Sequence, residues 1–92
     1  AWETKSNNTV YQAATDGFVL AYTTQGQENK YLSGYTDSSS DPTTRVAFFD
    51  LRGAYNSGRG TMNIMFPVRK NDYWKIVSDA TISKVYWIPL GS

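Results

Sequence analysis

Apolar residues recur at every second position in several segments of this chain, and no segment sustains the 3.6-residue period of an amphipathic helix. Met62, Ile64 and Phe66 fall on one side of an extended backbone, because successive side chains of a strand point to opposite faces. Pro67 follows directly, and since proline cannot donate to a strand ladder, we expect the strand to stop there. This pattern predicts a domain built from strands.

A second segment, Gly17–Thr24, is apolar on both sides of the extended chain. Phe18, Leu20 and Tyr22 fall on one side, and the residues between them, which are mostly apolar, fall on the other. Strands that are covered on both faces have this composition. We therefore expect this strand to be central in its sheet and covered on both faces.

Four further segments, together with a short extended stretch around Val10–Ala14, complete a set of about six or seven short strands. They are rich in β-branched and aromatic residues, which favour strands, and are bounded by Gly, Ser, Asn and Asp. The further strands are predicted at 30–36, 45–55, 73–77 and 82–88.

Turn-forming residues lie between the predicted strands, at Asp16-Gly17, Gly26, Asn56-Ser57-Gly58 and Asn71-Asp72. Gly, Asn and Asp tolerate the left-handed backbone of tight turns, so we expect hairpins to dominate the topology. Strands that recur roughly every ten to twelve residues, with no helix between them, predict an all-β fold. The expected architecture is a small antiparallel β-sandwich that is jelly-roll-like, and a closed barrel is the alternative.

The chain has 92 residues, which predicts a single β domain spanning residues 1–92. Its core should be thin, since a domain of this size buries only roughly 60–65% of the surface that its unfolded chain would expose.

The net charge of +1 gives no electrostatic reason to expect nucleic acid or an anionic membrane as a partner. The longest apolar runs hold a few residues, far below the roughly 20 that cross a bilayer. We therefore expect a soluble domain.

Cysteine and histidine are both absent from the sequence. Their absence excludes a Ser-His-Asp triad and a thiolate zinc site, and no glycine-rich loop precedes a helix that could bind a phosphate. Asp37 and Asp41 could offer oxygen ligands to calcium, but their spacing lacks the Asp-rich pattern and distal Glu of a calcium loop. We expect neither an enzyme nor a bound metal or cofactor.

One polar loop, Thr36–Thr44, is long for this chain and carries serines and a proline. Such loops either carry function or act as solvated connectors, and both interpretations stay open. Recognition surfaces use aromatic rings for area and Arg for its rigid fork of donors. The candidate binding residues flank this loop and the Asn-Ser-Gly-Arg-Gly turn, and they are Tyr35, Asp37, Arg52, Tyr55, Asn56 and Arg59. Phe48, Trp74 and Trp87 are assigned to core packing.

Four runs stand out along the chain, and they are DGFVLAY at 16–22, GYTD at 34–37, FPVRKNDYWK at 66–75 and YWIPLG at 86–91. These runs resemble the C-terminal modules of bacteriophage and prophage tail fibres and tail spikes. The resemblance implies that the chain is the C-terminal fragment of a longer fibre or spike, carried on the virion outside the cell. It also implies a homotrimeric all-β tip that recognises a bacterial surface glycan or outer-membrane protein.

Two other roles stay open. The chain could be a structural cap that holds three subunits of a tail spike together, and a thin aromatic core without disulfides fits subunits that complete their burial against one another. It could instead be a carbohydrate-binding module of a secreted enzyme, which should be monomeric and bind polysaccharide through a flat aromatic strip. The mass of the chain in solution separates the last hypothesis from the first two.

Overall fold

The structure is a computed structural model that describes residues 2–24, 29–52 and 61–91. Within those ranges it contains eight strands and no helix, as the sequence predicted for the fold class. It accordingly shows, in the same ranges, no helix that is long and apolar enough to cross a membrane. The strands are β1 (Glu3–Lys5), β2 (Tyr11–Gln12), β3 (Gly17–Thr23), β4 (Tyr31–Asp37), β5 (Arg45–Asp50), β6 (Asn63–Val68), β7 (Tyr73–Ser78) and β8 (Ile82–Pro89).

The strands form two antiparallel sheets of four. Sheet A has the order β1-β8-β3-β6, and sheet B has the order β2-β7-β4-β5. The first strand pairs with the last, the second with the seventh, the third with the sixth and the fourth with the fifth, as in one long hairpin that has been rolled up. Rolling also brings β8 beside β3 and β7 beside β4. Eight strands arranged in this way form a jelly roll, so the predicted sandwich is confirmed and the closed barrel is wrong.

Hairpins do not dominate this topology, contrary to the expectation from the turn residues. Among the described strands, only β4 and β5 are neighbours both in sequence and in a sheet. Asn71 has the left-handed backbone expected of it, with φ at 74°, but its turn carries the chain from β6 in sheet A to β7 in sheet B. A turn residue fixes local geometry, whereas the partner of a strand is decided by which faces must be buried.

Strand β6 runs through Pro67 to Val68, so the expected stop at Pro67 is wrong. In sheet A, β6 is an edge strand, and Pro67 lies opposite Phe18 of β3. Alternate N–H groups of an edge strand point away from the sheet, and a proline at such a position removes no ladder hydrogen bond.

The bounds of two other strands differ from prediction. Strand β1 was not predicted, because Glu3–Lys5 is polar and has no alternation, and it is held by its pairing with β8. Strand β5 ends at Asp50, earlier than the predicted end at Tyr55, and residues 53–55 lie outside the described ranges. The stretch around Val10–Ala14 is extended as expected and contributes β2.

The core lies between the sheets and is built from alternate residues of the facing strands. In β3, Val19 and Ala21 are fully buried, while the apolar side chains that alternate with them are half-buried. Strand β3 is central in its sheet as predicted, but only one of its faces is fully covered. The rings of Trp74 and Trp87 are buried and stack with their centroids 6.0 Å apart, which confirms that they pack the core.

Candidate functional site

The outer face of sheet B carries aromatic rings, of which Phe48 is exposed and Tyr31 and Tyr35 are half-buried, together with charged groups. Leu32 and Gly34 of β4 are buried in the core, so Tyr31, Ser33 and Tyr35, which alternate with them, lie on the outer side. Directly paired residues of an antiparallel sheet share a face, so the register extends this surface onto β5 and β7. It forms three cross-strand rows, which are Phe48-Ser33-Val77, Arg45-Tyr35-Lys75 and Asp50-Tyr31.

Phe48 lies in the middle row of this surface, on the edge strand β5, and does not pack in the core, so the expectation of core packing is wrong for this residue. It is 59% exposed, and the guanidinium of Arg45 lies 4.3 Å from the centre of its ring. Its partner on β4 is the small residue Ser33, which leaves the ring standing above the sheet. The register shifts at the next pair, where Val46 is an extra residue on β5, a β-bulge. Phe48 is therefore available to contact a ligand.

Arg52 and Asp50 form a fixed donor and acceptor pair beside Tyr31. Arg52 donates from Nε to Asp50 Oδ1 at 3.0 Å and from its terminal nitrogen to Oδ2 at 2.7 Å. The Arg52 backbone N–H also donates to Oδ1, at 2.9 Å. These hydrogen bonds from Arg52 lower the pKa of Asp50 to about 2, so the carboxylate stays ionised further into the acid range than an ordinary aspartate. The guanidinium lies 5.0 Å from the centre of the Tyr31 ring, within reach of a cation–π interaction.

A similar arrangement lies across the sheet at Tyr35. The Lys75 ammonium is 5.4 Å from the centre of the Tyr35 ring and donates to Asp41 Oδ1 at 2.9 Å. Asp41 belongs to the loop that follows β4, so this exposed ion pair links the loop to the outer face, and such pairs contribute little stability. Both ends of the surface thus combine an aromatic ring with a cation held by a carboxylate.

Asp37, a predicted binding residue, organises the loop of residues 38–44. Its Oδ1 accepts the Ser39 N–H at 2.9 Å, and its Oδ2 accepts the N–H groups of Thr43 and Thr44 at 2.9 and 3.0 Å. These bonds, with the Ser39 N–H first, lower the pKa of the Asp37 carboxyl. The Asp37 carboxylate therefore has a structural role in ordering this loop, which the sequence did not indicate.

We expect Asp37→Asn to loosen this loop and leave the sandwich folded. A side-chain amide has a single acceptor oxygen and cannot serve three N–H groups on two sides. Exchange of the three loop amides with solvent, measured by NMR, should become roughly tenfold faster or more, because hydrogen bonds to a charged acceptor are lost. Asp41→Asn is the matched control, since that carboxylate binds a lysine and none of these amides. Equal exchange in both variants would contradict this role.

Acid should have the same effect as the substitution. A carboxyl whose pKa is lower in the folded chain adds stability above its ordinary value and loses that contribution as the pH falls through the folded value. The loop amides governed by Asp37 should therefore exchange faster as the pH falls below 3.8, the ordinary value. Exchange rates of these amides, corrected for the intrinsic effect of pH, measure this directly. Rates that stay flat through this range would contradict it.

The structure brings together part of the predicted binding set. Tyr35 and Arg52 lie on or above the outer face of sheet B, and Asp37 lies at its end. The three others, Tyr55, Asn56 and Arg59, lie outside the described residues. The prediction missed four members of this face, which become neighbours only once the strand register is known, and they are Tyr31, Arg45, Phe48 and Lys75. Two rings spaced by four residues in one strand, as at Tyr31 and Tyr35, are the one local signal that could have indicated a shared face.

In the described ranges, no group of three or more Asp or Glu side chains is arranged to hold a metal ion. Comparison of the chain with protein-family models, with curated protein sequences and with solved structures found no match. Function is therefore inferred from the fold, from the outer face of sheet B and from the resemblance of the four sequence runs.

Proposed function

We propose that this chain is the tip domain of a phage tail fibre or tail spike and that it binds a bacterial surface glycan through the outer face of sheet B. The observation that carries the proposal is the exposed ring of Phe48 between two tyrosines that each lie beside a cation. Two further observations support it. Jelly rolls occur in lectins and viral proteins, and the four runs resemble tail-fibre modules. The domain would act on the virion, outside the host cell.

The chemistry of this face suits a sugar. One side of a pyranose ring carries mainly C–H groups, which pack on an aromatic ring, while its hydroxyls need donors and acceptors in the plane of the sugar. Phe48 offers the ring, and Arg52 with Asp50 offers donors and an ionised acceptor in fixed positions. Because these groups hold one another, little side-chain entropy is lost when a ligand binds.

The length of the face favours an oligosaccharide over a single sugar. Tyr31 and Tyr35 are four residues apart on β4, a separation of roughly 13 Å at the rise of a strand. Phe48 pairs with Ser33 and so lies between the two tyrosines. Three rings spaced along the strand direction, two on β4 and one on β5, can contact successive sugars of a surface polysaccharide.

Phe48→Ala should weaken binding to the recognised polysaccharide by roughly tenfold or more, as for an aromatic residue that anchors an interface. The measurement is binding of the purified chain to a panel of immobilised bacterial surface polysaccharides. Met65→Ala is the matched control, because Met65 is 60% exposed against 59% for Phe48 but belongs to sheet A. Retained binding by Phe48→Ala would contradict the proposed surface. Binding to an outer-membrane protein and to no polysaccharide would contradict the proposal that the receptor is a glycan.

A structural trimerisation cap is the second candidate, and the outer face of sheet A favours it. An apolar strip crosses this sheet, formed by Trp2, Leu20, Tyr22, Met65 and Tyr86. Trp2 and Met65 are each 60% exposed, and no member of the strip is charged. Burying this strip against other copies would complete the thin core of a homotrimer.

Met65→Asp should disrupt such an assembly, because it places a charge within an apolar contact. If the chain is a trimerisation cap, light scattering of the unaltered chain gives a stable mass of three times 10.3 kDa, and the variant gives 10.3 kDa. Phe48→Asp, on the other sheet at matched exposure, should leave the trimer intact. A monomeric unaltered chain would overturn the cap and favour a carbohydrate-binding module of a secreted enzyme.

A further inference from the structure

A cleft of about 410 Å³ opens at one end of sheet A, away from the outer face of sheet B. Phe18 and Pro67, which pair with each other on the outer side of the sheet, line it together with Leu90, which is 62% exposed. These three side chains give the cleft apolar surfaces. Sites for small molecules typically measure about 300–1,000 Å³, and the cleft is therefore large enough to hold a single sugar ring.

Polar groups lie around the apolar surfaces of the cleft. Arg69 and Lys70 line it, and within the described ranges the Lys70 ammonium has no ion-pair partner. Arg69 is paired with Asp72 through Nε at 3.1 Å, and its side chain is 82% exposed. Asp16 also lines the cleft, and its Oδ1 accepts the Lys70 backbone N–H at 2.8 Å. The rim thus offers both donors and an acceptor.

The cleft is held in shape by two hydrogen bonds that Asp16 accepts. The Asp16 carbonyl accepts the Leu90 N–H at 2.9 Å, while its carboxylate accepts the Lys70 N–H, so one residue ties two walls together. Gly17 lets β3 pack closely against β8 at this end of the sheet, because a Cβ at this position would lie 2.6 Å from both the Ile88 carbonyl oxygen and the Trp87 ring. A preformed cleft loses little entropy on binding.

We propose that this cleft is a second sugar site, which takes one neutral hexopyranose ring. Two cations and two carboxylates lie in or beside it, so it has no net charge with which to select an ion. An apolar surface bordered by donors and acceptors matches a ring with one C–H side and several hydroxyls. The choice of a sugar rests on the proposed function, and the site extends that function to the opposite sheet.

The test is a titration of the ¹⁵N-labelled chain with methyl glucoside, methyl galactoside, methyl mannoside and methyl N-acetylglucosaminide, followed by NMR. At least one of them should shift the amide signals of Phe18, Lys70 and Leu90 at millimolar concentration. Leu90→Ala should weaken this binding by about fivefold or more, since it removes an exposed apolar wall without disturbing the core. Phe48→Ala should leave it unchanged, because Phe48 lies on sheet B.

Two outcomes overturn this site. The first is a cleft whose amide signals do not move with any of the four glycosides up to about 50 mM, a concentration well above a millimolar dissociation constant. The second is stronger, salt-sensitive binding of glucuronate, which would make the cleft an anion site. Neither outcome affects polysaccharide binding by sheet B, whose loss in Phe48→Ala is measured separately.

Discussion

Trp74→Ala is expected to lower the free energy of unfolding by about 3–5 kcal/mol, because removing a large buried side chain leaves a cavity. Trp74 is 1% exposed, and its ring centroid lies 4.9 Å from that of Tyr11 and 6.0 Å from that of Trp87. A domain of this size shifts its thermal midpoint by roughly 4–8 °C per kcal/mol, so the midpoint should fall by roughly 12–40 °C. Scanning calorimetry of the purified chain measures this change.

The chain provides its own controls for this experiment. Trp87→Ala should behave like Trp74→Ala, since Trp87 is 6% exposed and stacks on the same ring. Trp2→Ala should cost less than about 1 kcal/mol, because Trp2 is 60% exposed and contacts Tyr86 edge-on. Similar losses in all three variants would contradict a core centred on the two stacked tryptophans.

Gly34→Ala should destabilise the fold by about 1–3 kcal/mol although it adds a single methyl group. Gly34 is buried in the middle of β4, and a Cβ at this position would overlap Cε1 of the Phe66 ring in the facing sheet. Phe66 is itself 2% exposed and surrounded by core, so its ring cannot move away without disturbing its neighbours. Urea denaturation followed by circular dichroism gives the free energy directly.

A second substitution can show that this loss arises from the overlap with the ring. In the double variant Gly34→Ala/Phe66→Leu, the added methyl meets a smaller side chain, so the loss should be less than the sum of the two single losses. Gly91→Ala is the neutral control, since a Cβ there has no atom within 4 Å. If the losses of unfolding free energy are additive in the double variant, the destabilisation arises from the backbone of β4 and not from overlap with the Phe66 ring.

The sequence predicted most of the strands well, because the alternation of apolar residues within a strand reflects which of its side chains are buried. Alternation of buried residues is regular in β6 and β7, and the predicted segments there lie within two residues of the observed bounds. Pairing could not be predicted in the same way, because every pairing among the described strands except that of β4 with β5 joins strands distant in sequence. The turn residues indicated where the chain turns but not into which sheet it goes.

The errors at Pro67 and Phe48 share one cause, which is the position of a strand in its sheet. Strands β6 and β5 are both edge strands. An edge strand tolerates a proline and exposes apolar side chains that a central strand would bury. Local composition does not report edge position, so both residues were assigned as they would be in a central strand.

The candidate surface was only partly predictable for a related reason. Tyr35 and Arg52 could be selected by residue type and by their closeness to loops. Phe48 became a candidate only when the register placed it beside Ser33 on the outer side of sheet B. A binding surface that crosses three strands depends on which strands pair and in which register, and neither can be inferred from a single sequence.

The most direct test of the proposed recognition surface is to map a bound oligosaccharide on the ¹⁵N-labelled chain by NMR, using a fragment of the polysaccharide that binds best in the panel. The proposal predicts that the largest shifts of amide signals occur at Ser33, Phe48 and Arg52, on and beside the outer face of sheet B. A saturable titration that leaves these three signals in place would contradict the claim that this face recognises the glycan.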